Sequence, residues 1–183
     1  MQDGRPDPSL PATLSEPIVM IGAGDLGLMG INILDTMGGK GAVVVEIDAN
    51  KRQAALDCGA LAAIDPASPD VDQQIRKAIG GPVHFVLDLV GSGETAALGF
   101  RLLDRGEKLV IVGLFGGAMS LSVPLVTMRS ATIQGSYIGS PAELRELMAL
   151  IHWSESPALI HQMETAEFCG ARIVIEAETF TLP

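Results

Sequence analysis

Apolar and polar positions alternate in blocks along this chain. Short apolar runs stand at Ile18–Ile21, Ala42–Val45, Leu61–Ile64, Val83–Leu87, Leu109–Val112 and Ala131–Gln134. Each has the length of a buried strand. Between them lie stretches with helical spacing and helix start signals. After the first run, Leu26, Met29, Gly30, Ile33 and Met37 fall on one face, and Gly38-Gly39 ends the segment. Asp48 is placed to cap the next helix. Ser68-Pro69 opens a third, with Ser at the cap and Pro in the first turn. Ser92 starts a fourth, with Glu94 in its first turn. Ser140-Pro-Ala-Glu143 has the spacing of a capping box ahead of Leu144, Leu147, Met148 and Ile151.

Strand and helix in alternation predict a doubly wound α/β domain. The expected core is a six-stranded, mostly parallel sheet with helices on both faces. Its expected extent is residues 17–151. An N-terminal arm or truncated linker over 1–16 precedes it, and an extension of unread structure over 152–183 follows.

The first strand-to-helix turn reads Gly22-Ala-Gly24-Asp25-Leu26-Gly27. Gly-x-Gly-x-x-Gly between an apolar strand and an amphipathic helix is the dinucleotide fingerprint of a Rossmann fold. Gly22 permits the tight turn, Gly24 lets a pyrophosphate approach the backbone, and Gly27 lets helix and strand pack closely. Asp25 and Leu26 lie in the same turn and count with the cofactor-binding residues. Glu46 closes the second strand, where an acidic group can accept from the adenosine ribose hydroxyls and repel a 2′-phosphate. That favours NAD over NADP. Lys51 and Arg52 are nearby cations that could offset the repulsion. Turns after the later strands supply further positions. Leu89-Val90-Gly91 could border the adenosine half, Gly113-Leu114-Phe115 could approach the nicotinamide, and Gly135-Ser136-Tyr137 follows the sixth strand.

Composition narrows the field. The formal net charge is -10, so bulk charge does not suit the chain to nucleic acid or an anionic membrane. The uncharged stretch Leu109–Met128 has the length of a membrane span. Gly113, Gly116, Gly117 and Pro124 interrupt it, so it is not read as one. Hydrophobic residues make up 48% of the chain and the mean hydropathy is positive, which points to surface made for a partner. Cys58 and Cys169, far apart, suggest neither a disulfide framework nor a zinc cluster, and a cytoplasmic location is the expectation. His84 falls inside a predicted strand and reads as packed. His152 and His161 form no recognisable metal pattern with Cys169. Tyr137 lacks the lysine four residues on that a short-chain dehydrogenase would use.

Taken together, Val19–Gly27, Val45–Lys51, Ala55–Ala60, Val86–Gly91, Gly106–Gly113 and Ile133–Ser136 resemble the cofactor domain of the medium-chain dehydrogenase/reductase family, the zinc-type alcohol dehydrogenases. The resemblance covers about residues 17–151. It implies an oxidoreductase that moves hydride between an alcohol and its carbonyl, usually as a dimer or tetramer. It implies that Gly22, Gly24 and Gly27 hold the pyrophosphate, that Glu46 and Lys51 flank the ribose, and that Val112, Gly113 and Leu114 lie beside the nicotinamide. Ser120–Val126 would lie near a subunit interface. The family's zinc ligands sit in a catalytic domain ahead of the first Rossmann strand, and only a short arm precedes Ile18 here. No zinc ligand is therefore carried over, and the chain is expected to bind cofactor but to be inactive alone. Two alternatives are a non-catalytic dinucleotide sensor and an S-adenosylmethionine-dependent methyltransferase. The expected partners are the dinucleotide and either further copies of the chain or a catalytic domain.

Overall fold

A computed structural model describes residues 14–147 of the 183-residue chain. Six strands form one sheet: β1 (Ile18–Ile21), β2 (Ala42–Val45), β3 (Ala62–Ile64), β4 (Phe85–Asp88), β5 (Lys108–Ile111) and β6 (Thr132–Gly135). Their order is β3-β2-β1-β4-β5-β6, and every pairing is parallel. The helices between them are α1 (Asp25–Thr36), α2 (Ala49–Asp57), α3 (Val71–Ile79), α4 (Gly93–Leu102) and α5 (Val123–Arg129).

The apolar runs form strands because both faces of the sheet are covered. All four residues of β1 and all four of β2 are buried. Side chains alternate between two cores, as the period of a strand requires. Val19, Ile21, Val43 and Val45 join Ile75, Val86, Leu98, Leu102 and Leu109 under α3 and α4. Ile18, Met20, Ala42 and Val44 join Ile31, Leu34 and Ala55 under α1 and α2.

The sheet and most helices match the expectation, and the differences have local causes. The buried face of α1 is Gly27, Ile31 and Leu34 rather than the stripe through Leu26 and Met37, both of which are exposed. Gly27 sets this rotation, because a Cβ there would overlap the Gly22 carbonyl oxygen. The α3 helix is capped at Asp70, two residues after Ser68. Ser68 instead lies in the preceding turn, where its hydroxyl donates to Asp70 Oδ1 (3.0 Å) and accepts from Gln74 Nε2 (2.8 Å). Strand β4 begins only at Phe85, because Asp104 draws off the Val83 N–H (2.8 Å). His84 therefore lies outside the strand, half-exposed, with Nδ1 2.7 Å from Glu107 Oε1.

Helix α5 was not foreseen. Pro124, an interruption in the sequence pattern, sits in the first turn, where its missing N–H costs nothing. The capping box is present: Ser140 N–H donates to Glu143 Oε2 (2.6 Å) and Glu143 N–H to Ser140 Oγ (3.2 Å). Cys58 is disulfide-bonded, against the expectation that the cysteines form no disulfide framework. Residues 1–13 and the expectations placed on Met148, Ile151 and 152–183 lie outside the described residues. No helix among those described is long and apolar enough to cross a membrane.

Candidate functional site

In this strand order the chain reverses direction across the sheet between β1 and β4. Turns leaving neighbouring strands there must part to opposite faces, which opens a crevice at the carboxyl ends. A cleft of about 1110 Å³ occupies that place. Three turns build it, and each has a local reason for its shape.

The first turn joins β1 to α1. Gly22 has φ +101°, a conformation that disfavours side chains, and its N–H donates to Val45 O (2.8 Å). Gly24 is different. Its φ is -75°, an ordinary value, and a Cβ there would meet nothing within 4 Å. Neither the fold nor the backbone requires glycine at this position. Gly24 also caps α1 without a side-chain acceptor. The first-turn N–H groups thus stand at the cleft wall with no side chain to receive them.

The second turn joins β2 to α2. Glu46 is buried, and both carboxylate oxygens are used. Oε2 accepts from Ala23 N–H (2.8 Å) and Oε1 from Asp48 N–H (3.0 Å). One carboxylate thereby joins the glycine turn to the start of α2. Asp48 caps α2 through Asn50 N–H (2.7 Å) and Lys51 N–H (3.1 Å). The Lys51 N–H, then that of Asn50, hold its carboxyl below the usual carboxylate range. Lys51 lines the cleft. Arg52 is committed elsewhere: Nη1 donates to Glu46 O and Ile47 O (both 2.8 Å), and Nη2 lies 3.2 Å from Asp65.

The third turn joins β4 to α4 and is organised by Asp88, which is fully buried. Its Oδ1 accepts from Val90 N–H (3.0 Å) and Gly91 N–H (2.9 Å), and its Oδ2 from the Thr95 hydroxyl (2.9 Å). Ser92 and Thr95 close a capping box over the first turn of α4. The segment after β5 zips onto this turn: Phe115 N–H donates to Val90 O and Gly116 N–H to Gly91 O, both at 3.0 Å. Gly91 and Gly113 pass so closely that a Cβ on either would overlap the backbone of the other turn.

Of the positions singled out in the sequence, Gly22, Gly24, Asp25, Leu26, Gly27, Glu46, Lys51 and Val90 line this one cleft. Val112 and Gly113 do not. Their N–H groups donate to Asp88 O (2.8 and 3.2 Å), so they brace the wall from behind. Leu114 is exposed and outside the lining. The sequence reading starts a helix at Ser92 and points Phe115 toward the nicotinamide, but it gives no role to Asp88, to Thr95 or to the Gly116–Met119 part of the wall. An acidic residue ending an otherwise apolar strand was the available signal for Asp88.

The fold and the cleft define a Rossmann-type α/β domain, and comparison with known proteins places it. The chain belongs to the zinc-binding dehydrogenase family, whose model matches residues 26–153. It is 32% identical over 138 residues to an NAD-dependent alcohol dehydrogenase of Sulfurisphaera tokodaii, covering 74% of this chain and 40% of that protein. Among solved structures it resembles the D-arabinose dehydrogenase of Sulfolobus solfataricus (TM-score 0.68, 28% identity, 79% of this chain and 45% of the other). It also resembles a zinc-binding dehydrogenase of Sinorhizobium meliloti 1021 bound to NADP (TM-score 0.66, 25% identity, 74% and 41%). The chain thus spans less than half the length of these relatives. The family is one of alcohol-dehydrogenase-like oxidoreductases, and nothing in these matches supports a methyltransferase. Among the described residues, no three His, Cys, Asp or Glu side chains are placed to hold a metal. The described part therefore does not fit the zinc in the family's name.

Proposed function

We propose that this chain is the NAD(H)-binding part of an alcohol-dehydrogenase-type oxidoreductase. The observation that carries the proposal is Gly24. It is a glycine with an ordinary φ and open space where its side chain would be, set at an uncapped helix N-terminus in the main cleft. A residue that need not be glycine for the fold is explained by a ligand that needs the backbone bare. Unpaired N–H groups and the helix dipole suit an anion at that point, and the pyrophosphate of a dinucleotide is one.

The adenosine end then lies toward Glu46, Ile47 and Lys51. The Glu46 oxygens keep lone pairs beyond the two amides they serve, and these can accept from ribose hydroxyls. The same charge opposes a 2′-phosphate, which supports NAD over NADP. Lys51 is placed to flank the ribose. Val90 borders the adenosine half, and the stretch through Val112, Gly113 and Leu114 leads toward the nicotinamide half. When bound, the nicotinamide supplies the hydride chemistry, and this chain holds and orients it.

In this reading the alcohol and the group that polarises its oxygen belong to the larger enzyme, and the isolated chain binds cofactor without turnover. Its other partner, a second copy or a catalytic domain, covers the exposed apolar face of α5 and the segment after β6, through Val123, Leu125, Met128 and Ile138.

Titration calorimetry with NADH and then NADPH tests it. We expect saturable NADH binding and weaker NADPH binding. Gly24→Val should cost folding at most about 1 kcal/mol while lowering NADH affinity at least tenfold. A folded chain that ignores both nucleotides, or a Gly24→Val variant that binds as tightly as the parent, would sink the proposal.

A further inference from the structure

Besides Lys51, which lines the cleft, a second cation lies just behind its ribose-side wall and is held out of use. Arg52 stands in the first turns of α2, beside the carboxyl end of β2. The cleft wall there includes Ile47, Lys51 and Pro66, the chain neighbours of Arg52 and Asp65, but neither Arg52 nor Asp65 itself. Its guanidinium is spent on two backbone carbonyls and on Asp65. Asp65 is itself fixed. It is the first residue after β3, and its Oδ1 accepts from Ala67 N–H at 2.9 Å, which leaves Oδ2 facing Arg52. The β2–β3 pairing and this turn bring the counter-ion to the arginine.

We infer that Asp65 is a specificity-determining residue for the dinucleotide: it neutralises Arg52 and withholds that charge from the 2′-phosphate position. The inference rests on the dinucleotide reading given above. Glu46 opposes a 2′-phosphate directly, from the ribose side of the cleft. Asp65 opposes it from behind the wall, without touching the ligand. Asp48, the other carboxylate near Arg52, is already engaged with the α2 amides and leaves Asp65 as the arginine's direct partner. An unpaired guanidinium next to the Ile47–Lys51 wall would attract a 2′-phosphate. A unit charge removed just behind the cleft wall, in partly exposed surroundings, changes affinity for a doubly charged phosphate by roughly tenfold.

Asp65→Asn is the informative variant. The amide oxygen still accepts from Ala67 N–H, so the turn is kept, but an NH2 group now faces Arg52 and displaces it. We expect NADPH affinity to rise roughly tenfold and NADH affinity to stay within about twofold. Arg52→Met placed on top should abolish the gain, and 1 M salt should shrink it. Circular dichroism and retained NADH binding check that each variant is folded. An Asp65→Asn protein that binds NADH normally with no gain for NADPH would overturn the inference while leaving the dinucleotide reading intact. So would a gain that survives Arg52→Met or high salt. A parent chain that binds neither nucleotide would overturn the dinucleotide reading and this inference with it.

Discussion

The two sides of the sheet are built differently. From Ile18 to Leu109 the domain carries every buried hydrophobic residue among those described, divided between a core on each face. Beyond Leu109 no described residue is buried. Leu114, Phe115, Val123, Leu125, Met128, Tyr137 and Ile138 are all exposed. Helix α5 buries none of its residues, and Thr132 and Gln134 of β6 face solvent. The strands differ with their cover: β1 and β2 are wholly apolar and buried, whereas β6 reads Thr-Ile-Gln-Gly and buries no residue. The β1–β4 side closes on itself. The β5–β6 side offers exposed apolar surface, with no charged residue from Leu109 to Met128, in a chain whose net charge is -10. A surface without charge is the one such a chain can bring against a like-charged neighbour without repulsion.

The largest expected effect marks the border between the two sides. Leu109→Ala removes a fully buried side chain under α4 and should cost about 2–5 kcal/mol in chemical denaturation. Leu125→Ala, on the exposed side, should move the monomer's stability by less than about 0.5 kcal/mol. Equal losses at the two positions would erase the distinction.

That contrast also explains what could be read from the sequence. Strands β1 and β2 were legible to the residue, because a buried strand is an unbroken apolar run set off by glycines. The glycine turn and Glu46 were legible because their chemistry needs fixed residue types at fixed spacing. Helix α5 was not, since a helix that buries nothing has no polar face against which to recognise it, and Pro124 seemed to break it. The start of β4 was misplaced because Asp104, distant in sequence, takes the Val83 N–H. Asp88 gets no role from the sequence because a lone acid ending a strand marks a position without naming the three donors that folding brings to it.

Asp88 gives the next prediction. Asp88→Ala strips those donors of their acceptor in a buried place, and should cost about 2–4 kcal/mol while loosening the Leu89–Ser92 wall. Hydrogen exchange at the Val90 and Gly91 amides reads this directly. Protection equal to that of the parent would mean that Asp88 does not hold the turn.

A smaller effect is confined to acid. Arg101 holds the Asp72 carboxyl below its ordinary range. Burial pushes Asp104 upward, but Val83 N–H and the Arg76 guanidinium outweigh it, and Asp104 also ends low. A carboxylate lowered by folding stabilises fully above its unfolded pKa, and the contribution fades as pH falls from about 4 through the folded value. Asp104→Asn should therefore flatten the acid limb of the stability curve. Urea midpoints at pH 6 and pH 3 compare the two proteins, and an undiminished drop in the variant rules the assignment out.

The strand order has a last consequence, for how the molecule comes together. β1 lies at the centre, and its two neighbours arrive at very different moments. Val43 reaches Val19 after a single helical crossover, whereas Val86 must wait until three helices have been laid down. On a chain emerging from the ribosome, the middle of the sheet is made first and finished late. Closing so long a loop spends entropy before any contact returns it. Until then one edge of β1 stands open, and the β1–α1 turn lacks Val90, against which Gly22 finally rests.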